Sequence, residues 1–432
     1  MKKLKVLVIG SEVSDFLCPM YKKMQEDYPL HIDLIEPRKE WRNQELINAS
    51  FVTHHKISTE LKSYSKAQQL SSIFKSKFWK TFLQTFNTRE SVRSGVVQAN
   101  FTPLMQGYDV ICFHNLSTPV LWLHQFVPAG KKLVYSFWGS DLFRNNWLFH
   151  LETQAEALKK AQHIIVHSME MRLIAMAKYG WQYENKITAL VSTDIAKALE
   201  KYSDNGQLQD KYLFSFKQRH NIATEDTLIA IGHSAHEIDN HLFILQQIAR
   251  LDKQVLNKCT FILPMTYGIE ADYFNEVEAA CKAANIKYIL LNQFLDDDEM
   301  MELRYASEIL IRLSKYDAFS LSLCETLAAG NIAIVATWLP YGALRSAGVF
   351  YKEINAFDKL PQMLCDVLEN KEKYKQACSN NGKKLAIFTG NKIPLLHWLK
   401  YICHEMEHKN FGIIYTNINE SFMQNSRWQK KQ

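Results

Sequence analysis

The chain has few of the residues that interrupt regular structure, because only 15 of its 432 residues are glycine and 10 are proline. This scarcity excludes a collagen-like or linker-rich protein and argues against long disordered regions. An excess of one charge is also missing, since the formal net charge is only +6. The chain is therefore far from a nucleic-acid coat protein, although an acidic ligand or an anionic membrane face is compatible with it.

Signals for export and for membrane spanning are weak. We expect no signal peptide, because the first apolar run, Leu4 to Ile9, is short and ends in Gly-Ser-Glu. Residues 110–130 and 326–344 lack Asp, Glu, Lys and Arg and are long enough to cross a membrane. Their internal proline, glycine and asparagine residues favour buried strand–loop–helix segments instead. The 8 cysteines form no Cys-x-x-Cys pair, which is typical of reduced thiols in a cytosolic protein.

Short apolar runs alternate with helix-like segments, and this alternation predicts parallel strands joined by crossover helices. A helix is predicted over residues 169–179. The predicted strands lie at 5–10, 32–35, 109–113, 132–136 and 163–167, and again at 227–232, 259–263, 287–291, 308–313 and 332–335. The predicted fold class is therefore α/β, with two doubly wound Rossmann-like domains.

The pattern becomes charged and irregular between residues 196 and 221, which indicates a boundary between the two halves. We expect a Rossmann-like domain over 1–205, a second over 206–393, and a C-terminal helical tail over 394–432 that packs back on the N-terminal domain. Two such domains place a ligand in the cleft between the carboxyl ends of their sheets. The alternative is a tandem structural pair without chemistry in a cleft.

The strongest motif follows the predicted strand 308–313 and opens a helix that Gly330 ends. The backbone amides near Ser320 and Leu321 form a helix N-terminus that can hold a phosphate. Glu325 lies one turn further on, within reach of a ribose diol beside that phosphate, and Asp317 lies in the loop before the helix. The alternative interpretation is an N-terminal acid and a mid-helix glutamate on an ordinary solvated helix.

This segment resembles the Glu-x7-Glu signature of retaining glycosyltransferases of the GT-B fold, of the family 4 type, with Asp317 in the first acidic position. The resemblance implies that Glu325 binds the ribose of a nucleotide sugar and that Asp317 is a catalytic residue contacting the donor sugar. It also implies donor-binding roles for Phe319, Ser320 and Leu321. The family run Glu-Gly-Phe-Gly reads Asp-Ala-Phe-Ser here, so both glycines are replaced.

Two segments of the first half resemble loops of the same family. His114 ends a predicted strand, as does the family histidine that faces the reacting sugar carbon, and it could donate a hydrogen bond to a sugar hydroxyl. The alternative is a half-buried histidine whose hydrogen bonds are satisfied within the protein. Trp138, Gly139 and Asp141 follow the next strand and resemble an acceptor-side loop. Gly139 would permit the turn, and Asp141 would either cap a helix or face the acceptor.

The loop after the strand 227–232 departs from the family pattern of Gly-Arg followed by a lysine. This chain has Gly232, His233 and Ser234, and later His241, which resembles bacterial transferases that add an acetamido-dideoxygalactose to a lipid-linked intermediate. We expect these four residues to bind the donor. Neutral histidines offset a diphosphate less than Arg and Lys do, so helix amides or Arg345 would contribute more. A further donor-binding loop after the next strand contains Thr266 and Tyr267.

Three patterns invite other functions. Asp296-Asp-Asp298 resembles a metal-binding Asp-x-Asp, but it opens a predicted helix over 297–306, where acids suit the helix dipole. His404-Glu-Met-Glu-His408 matches the zincin signature, but a charged, solvated helix explains it as well. Neither Gly10 nor Gly232 belongs to a Gly-x-Gly-x-x-Gly run, which disfavours a nicotinamide dehydrogenase. We therefore predict no metal ligands.

Residues 62–93 hold seven basic residues and one acid, and an aromatic or leucine recurs every four residues from Leu70 to Phe86. This pattern is typical of a basic amphipathic segment that docks on an anionic membrane. The alternative is a core-facing stripe with a solvated basic side. The predicted membrane-facing residues are Lys75, Lys77, Phe78, Trp79 and Lys80.

The resemblance implies a metal-independent, hexosyltransferase-type glycosyltransferase with no cofactor other than its nucleotide-sugar co-substrate. The resemblance implies that the first domain binds the acceptor and the second the donor. It further implies retention and an acceptor that is a glycan or lipid-linked glycan of bacterial surface polysaccharide synthesis. We expect a cytoplasmic protein, peripheral on the inner membrane face if residues 62–93 dock there, without a nucleic-acid partner. A nucleotide-sugar epimerase and a catalytically silent binding scaffold remain alternatives.

Overall fold

The computed structural model describes residues 3–10, 17–37, 44–55, 60–144, 147–190, 199, 202, 207–268, 271–386, 398–399 and 401–402. The chain divides into two compact units. The first consists of Met1–His167, Met171–Leu190 and Lys392–Gln432, and the second of Ser168–Glu170 and Val191–Asn391. The predicted domain boundary at 205 and 206, the motif His404–His408 and most of the predicted tail lie outside the described residues.

The first unit is built on a seven-stranded parallel sheet with the order β3-β2-β1-β4-β5-β6-β7. Its five predicted strands are confirmed to within two residues at either end. The edge strands β3 and β7 were not predicted, because two or three residues carry too little hydrophobic pattern. The strands are β1 (Leu4–Gly10), β2 (Leu30–Ile35), β3 (His54–His55), β4 (Val110–His114), β5 (Lys132–Ser136), β6 (His163–Val166) and β7 (Ile187–Ala189).

Helices connect these strands, and the one over Met169–Tyr179 has the predicted bounds. They are α1 (Leu17–Asp27), α2 (Gln44–Ser50), α3 (Lys66–Ser71), α4 (Ser76–Thr85), α5 (Thr88–Gln106), α6 (Thr118–Leu123), α7 (Ser140–Phe143), α8 (Leu148–Lys160) and α9 (Met169–Tyr179). From the C-terminal region, Trp398, Leu399 and Ile402 are buried in the hydrophobic core of this unit.

The second unit repeats this strand order in a six-stranded parallel sheet, β10-β9-β8-β11-β12-β13. Each sheet starts at a central strand, grows outward to one side and then crosses to the other, as doubly wound dinucleotide-binding folds do. The α/β prediction is therefore confirmed, and only the short edge strand β13 was missed. The strands are β8 (Thr227–Ile231), β9 (Cys259–Pro264), β10 (Lys287–Leu291), β11 (Ile309–Arg312), β12 (Ile332–Ala336) and β13 (Lys352–Ile354).

One helix of the second half corrects the sequence analysis. Gln207–Arg219 is helical, although residues 196–221 were expected to be irregular. Its exposed charged residues Asp210, Lys211 and Arg219 made the apolar pattern hard to recognise. The helix that packs against it, Asp297–Ala306, has the predicted bounds. The helices are α10 (Gln207–Arg219), α11 (His241–Ile248), α12 (Lys253–Leu256), α13 (Ala271–Ala283), α14 (Asp297–Ala306), α15 (Leu321–Ala328), α16 (Gly342–Ser346), α17 (Leu360–Glu369), α18 (Lys371–Cys378) and α19 (Asn381–Leu385).

The two charge-free stretches fold as strand–loop–helix segments, as predicted. Residues 110–130 contain β4 and α6, and residues 326–344 run from the end of α15 through β12 into α16. The strands β4 and β12 are completely buried. Among the residues that the structure describes, no helix combines the length and the apolar character that crossing a bilayer requires.

Candidate functional site

Most of the predicted donor-binding residues follow strands of the second sheet at its carboxyl edge. Gly232–Ser234 follow β8, Thr266 and Tyr267 follow β9, and residues 317–320 follow β11. The strands β8, β9 and β11 are neighbours and parallel, so these three loops emerge at the same edge. In doubly wound folds this is the edge at which ligands bind.

The first loop turns at Gly232, whose φ of +69° lies in the left-handed region that favours glycine. A Cβ atom there would lie 2.5 Å from Nε2 of His241. His241 itself is fully buried, and its Nδ1 lies 3.2 Å from the hydroxyl of Tyr273. His241 therefore packs against the turn of this loop, and its role in binding the donor stays a prediction.

Asp239, which was not among the predicted site residues, organises the same loop. Its carboxylate accepts hydrogen bonds from the backbone N–H groups of His233 at 3.1 Å and Ser234 at 2.9 Å. The Ser234 and Ser314 hydroxyls donate to it at 2.9 and 2.8 Å, and Arg312 Nη1 at 2.9 Å. Although burial opposes ionisation, Arg312 and these hydroxyls hold the pKa of Asp239 below its ordinary value. The loop is thus built around a buried carboxylate, and the Ser234 hydroxyl is committed to it.

Arg312 also holds the first acid of the motif. Its Nη2 donates to Oδ2 of Asp317 at 2.9 Å, and the Tyr341 hydroxyl donates to the same oxygen at 2.9 Å. The other oxygen of Asp317 accepts the Ala318 N–H at 2.8 Å. Burial opposes the charge on Arg312, but Asp239 and Asp317 raise its pKa well above the ordinary value. Asp317 is therefore fixed in position by a buried cation.

A second buried arginine holds the other acid. Arg304, on α14, is 1% exposed, and its Nε donates to Oε2 of Glu325 at 3.0 Å. Its Nη2 lies 3.0 Å from Nδ1 of His233. Asn331 donates to the Arg304 carbonyl at 2.8 Å and so secures the end of α14. Nothing in its local sequence pattern separates Arg304 from an ordinary helical arginine, so its role could not be predicted.

The helix of the motif begins and ends where the sequence predicts. Ser320 is the N-cap of α15, and its hydroxyl accepts the Leu323 N–H at 3.2 Å. Gly330, with a φ of +79°, follows the last turn. Phe319 and Leu321 are partly buried against the hydrophobic core. The predicted helix N-terminus is therefore present beside Asp317.

Tyr267 lies against His233. Their ring centroids are 5.4 Å apart in an edge-to-face arrangement, and Tyr267 is 44% exposed. The Ala235 N–H donates to the Tyr267 carbonyl at 2.9 Å, which joins the loops after β8 and β9. Thr266 is buried. The exposed tyrosine ring offers a flat surface that suits a base or a ribose.

In the first unit, His114 lies at the end of β4 as predicted, but its side chain is only 1% exposed. Its Nε2 is 2.7 Å from the Tyr21 hydroxyl. The ring stacks on Trp398 at 5.1 Å and meets Trp138 edge to face at 6.2 Å. Burial, with a smaller contribution from His167, lowers the pKa of His114 to about 3. His114 is therefore a neutral imidazole, and its catalytic role stays a prediction.

The loop after β5 turns at Gly139, whose φ is +109°. Asp141 is 1% exposed and accepts three backbone N–H groups, from Leu116 at 2.6 Å, Trp138 at 2.9 Å and Gly139 at 3.0 Å. Burial raises the pKa of Asp141 to about 6, although these N–H groups act in the opposite direction. The acceptor-facing interpretation of Asp141 needs correction, because the carboxylate instead ties the loop after β4 to the loop after β5.

Residues 62–93 fold as α3, a 3₁₀ turn, α4 and the start of α5, not as one continuous helix. Phe86 ends α4 with a φ of +50°. Phe78 is only 6% exposed, so its assignment to the membrane-facing set is wrong, and Lys77 is half-buried, with its pKa lowered to about 8 mainly by burial. The large apolar side chains that are exposed here are Leu70, Ile73, Phe74, Trp79, Leu83 and Phe86.

Two further predictions concern charged residues of the second unit. Asp296 caps α14, accepting the N–H groups of Asp298 at 3.0 Å and Glu299 at 2.9 Å, as its interpretation as a helix start requires. Arg345 lies on α16 and pairs with Glu353 at 2.6 Å. Its side chain is 41% exposed. Within the described part of the chain, neither Asp296 nor Arg345 forms a hydrogen bond or ion pair with the buried arginines Arg304 and Arg312 or their carboxylates.

Comparison with known proteins extends these observations. Neither a scan of protein-family models nor a search of curated proteins finds a match. Among solved structures, the chain is similar to Anabaena Alr3699/HepE in complex with UDP, with 12% sequence identity and a TM-score of 0.67. The match covers 92% of this chain and 99% of that chain. The same Anabaena protein was also solved with UDP-glucose.

Two other solved structures are similar over nearly the whole chain. A glycosyltransferase from Rickettsia africae ESF-5 shares 11% identity, covers 95% of this chain and 100% of its own, and has a TM-score of 0.66. WaaG, a glycosyltransferase involved in lipopolysaccharide biosynthesis, shares 12% identity with this chain and has a TM-score of 0.62. The match covers 92% of this chain and 99% of WaaG. With its two parallel doubly wound sheets, the chain has the GT-B fold of these glycosyltransferases.

Proposed function

We propose that the protein is a glycosyltransferase that takes a nucleotide-sugar donor at the carboxyl edge of its second sheet. The observation that carries the proposal is the pair of acids Asp317 and Glu325, each held by its own buried arginine. An ordinary solvated helix would not have a buried guanidinium beside each of its acids. Removing a charged group from water is costly unless its ion pair has excellent geometry. The UDP and UDP-glucose complexes of the Anabaena relative support the same choice of ligand.

The donor is proposed to span the three loops. Glu325, oriented by Arg304, accepts the ribose hydroxyls, and the first amides of α15 face the diphosphate. Tyr267 provides an exposed aromatic surface for the base. Asp317, held by Arg312 and Tyr341, lies where a sugar hydroxyl could donate to it. Hydrogen bonds from sugar hydroxyls to these two carboxylates are charge-assisted, and such bonds are about twice as strong as neutral ones.

For the transfer step we propose a metal-independent reaction of the hexosyltransferase type, with retention, in which His114 donates a hydrogen bond to the sugar. Its low pKa supports a neutral donor. Its Nδ1 has no partner among the described residues. Because the ring is 1% exposed, contact with a substrate requires that Trp138 or Trp398 moves aside.

The acceptor is proposed to be a glycan carried on a membrane lipid, as in bacterial surface polysaccharide synthesis. Support comes from the exposed apolar side chains of residues 70–86, where Phe74 is 84% and Phe86 77% exposed. Lys75 and Lys80 flank them, so an anionic membrane surface fits this part of the first unit.

A donor panel tests the proposal. The full-length protein is incubated with UDP- and dTDP-linked hexoses, and slow release of free sugar is expected with at least one of them. Glu325→Gln should weaken binding of that nucleotide sugar by about 1.5–3 kcal/mol in calorimetry, because the diol loses a charged acceptor.

Glu278→Gln is the matched control and should bind as the wild type does, because Glu278 is a partly exposed acid on α13 that pairs with Lys282. Conversion of the sugar to its epimer would identify an epimerase instead. Absence of both binding and hydrolysis across the panel would leave a binding scaffold. Unchanged affinity in a folded Glu325→Gln protein would remove Glu325 from the donor site.

A further inference from the structure

We propose that Arg304 fixes His233 as a neutral imidazole with its proton on Nε2, so that His233 offers an uncharged N–H donor to the diphosphate of the donor. This inference rests on the proposed function, which it makes more specific. It also assigns to Arg304 a positioning role shared by two parts of the site.

The tautomer follows from the identity of the partner. Nη2 of Arg304 lies 3.0 Å from Nδ1 of His233. A guanidinium has only donors and is not deprotonated in proteins, so Nδ1 must accept this hydrogen bond and cannot carry a proton. A neutral imidazole carries one proton, which must then be on Nε2.

The surrounding charges disfavour a second proton on the ring. Burial lowers the pKa of His233 well below its ordinary value, and Arg304 from α14 and Arg312 from β11 lower it further. Asp239 acts in the opposite direction, but its carboxylate already accepts from Arg312 and from hydroxyl and backbone donors. Tyr267, from the loop after β9, presents its ring edge to face. A protonated Nδ1 would point an N–H at the Arg304 guanidinium, which is repulsive.

The remaining nitrogen is available to a ligand. The backbone N–H of His233 is used by Asp239 and its Nδ1 by Arg304, whereas Nε2 has no hydrogen-bond partner among the described residues. His233 is only partly buried and lies in the loop after β8, at the ligand-binding edge of the sheet. Diphosphate oxygens are strong acceptors, so an Nε2–H donor suits them.

The same guanidinium serves the second part of the site. While Nη2 holds His233, Nε holds Glu325 at 3.0 Å, and Nη1 is buried without a partner among the described residues. Arg304 therefore aligns the proposed ribose-binding carboxylate with the proposed diphosphate-binding imidazole. A neutral donor also makes affinity for a diphosphate independent of pH over the range in which a free histidine would titrate.

The first experiment follows His233 in the unliganded, full-length protein by NMR after labelling with 15N- and 13C-histidine, using His233→Asn to assign its signal. The expected result is an Nε2–H tautomer that does not titrate between pH 8 and 5.5. In Arg304→Gln the ring should titrate within that range, and Arg304→Lys, which restores a cationic donor, should return it toward the wild-type state. A wild-type ring that titrates near pH 6.5, or a titration unchanged in Arg304→Gln, would overturn the inference whatever the function of the protein.

The second experiment measures binding of UDP-glucose and dTDP-glucose, whose diphosphates keep a constant charge over this range. His233→Ala should lose about 10-fold in affinity, which is the usual size of one hydrogen bond to a charged group. The wild type should bind equally at pH 8 and 5.5, whereas Arg304→Gln should bind better at the lower pH, where His233 becomes a cation. His236→Ala, in the same loop, is the matched control and should bind within two-fold of the wild type.

The outcomes separate the two proposals. Failure of the wild type to bind either nucleotide sugar, together with the expected tautomer, would count against these donors and leave the Arg304–His233 relation standing. Binding that rises for the wild type as the pH falls would overturn the neutral donor while leaving the glycosyltransferase proposal intact.

Discussion

The carboxyl edges of the two sheets share one strand order but carry different chemistry. In the first unit, two described residues near this edge are buried: His114 is a neutral imidazole, and Asp141 accepts backbone N–H groups. In the second unit Arg304 and Arg312 are buried beneath two acids that retain partial exposure, at 11% and 15% of their side chains. This difference supports the proposal that the donor binds in the second unit, where a buried guanidinium orients each acid.

Among the changes that test this difference between the units, removal of Arg312 should have the largest effect on the free energy of unfolding. Arg312→Met leaves Asp239 and Asp317 without their cation in a buried site, and breaking a buried pair of this kind costs about 3–5 kcal/mol. Urea unfolding followed by circular dichroism measures this loss. Arg345→Met is the matched control, because its pair with Glu353 is partly exposed and should change the free energy of unfolding by less than about 1 kcal/mol. Equal effects of the two substitutions would contradict the buried-charge interpretation.

Acid should destabilise both units through their buried histidines. The pKa of His114 is lowered to about 3 and that of His241 to about 4, mainly by burial, against about 6.5 in an unfolded chain. Below pH 6.5 the unfolded chain therefore binds a proton that the folded chain does not, so stability is present above that pH and is lost as the pH falls. Each histidine should cost about 2 kcal/mol between pH 7 and pH 5.

Urea unfolding at both pH values tests this expectation. His114→Gln in the first unit and His241→Gln in the second should each reduce the pH dependence by that amount, whatever their effect at pH 7. A pH dependence identical to that of the wild type would mean that the substituted ring is protonated in the folded protein.

The smallest expected effect concerns the exposed surface of residues 70–86. Lys80→Gln should weaken co-sedimentation with anionic vesicles by about 1 kcal/mol, since one lysine near such a surface contributes that much. Lys211→Gln, an exposed lysine of the second unit, is the matched control and should leave vesicle binding unchanged. A wild-type protein that does not pellet with anionic vesicles at low salt would remove the membrane from the proposed function.

Local pattern predicted the elements of this fold well wherever the pattern was long enough. The helices Met169–Tyr179 and Asp297–Ala306 were predicted residue for residue, and Gly330 ends α15 as expected. Predictions based on even spacing were less successful. The four-residue spacing from Leu70 to Phe86 continues across the backbone break at Lys75 and ends where the helix α4 ends, so it does not describe one face of one helix.

The candidate site was predicted only in part, for a related reason. Asp317 and Glu325 lie in one motif and could be found together, whereas the arginines that hold them carry no local signal. Arg304 lies 71 positions from His233, and Arg312 lies 73 positions from Asp239. Such pairs depend on which strands are neighbours, and no period of 2 or 3.6 residues records that.

The amino-acid sequence by itself determined the alternation of strands and helices, the two parallel sheets, and the loop and helix that carry the two acids. This is possible because hydrophobic periodicity and helix-end residues act over a few neighbouring positions. The tertiary structure alone decided that His114, His241, Asp141 and Phe78 are buried and that two guanidiniums lie beneath the acids. Burial and charge pairing depend on packing between elements distant in the chain, and it is this packing that makes one carboxylate a structural support and another an available acceptor.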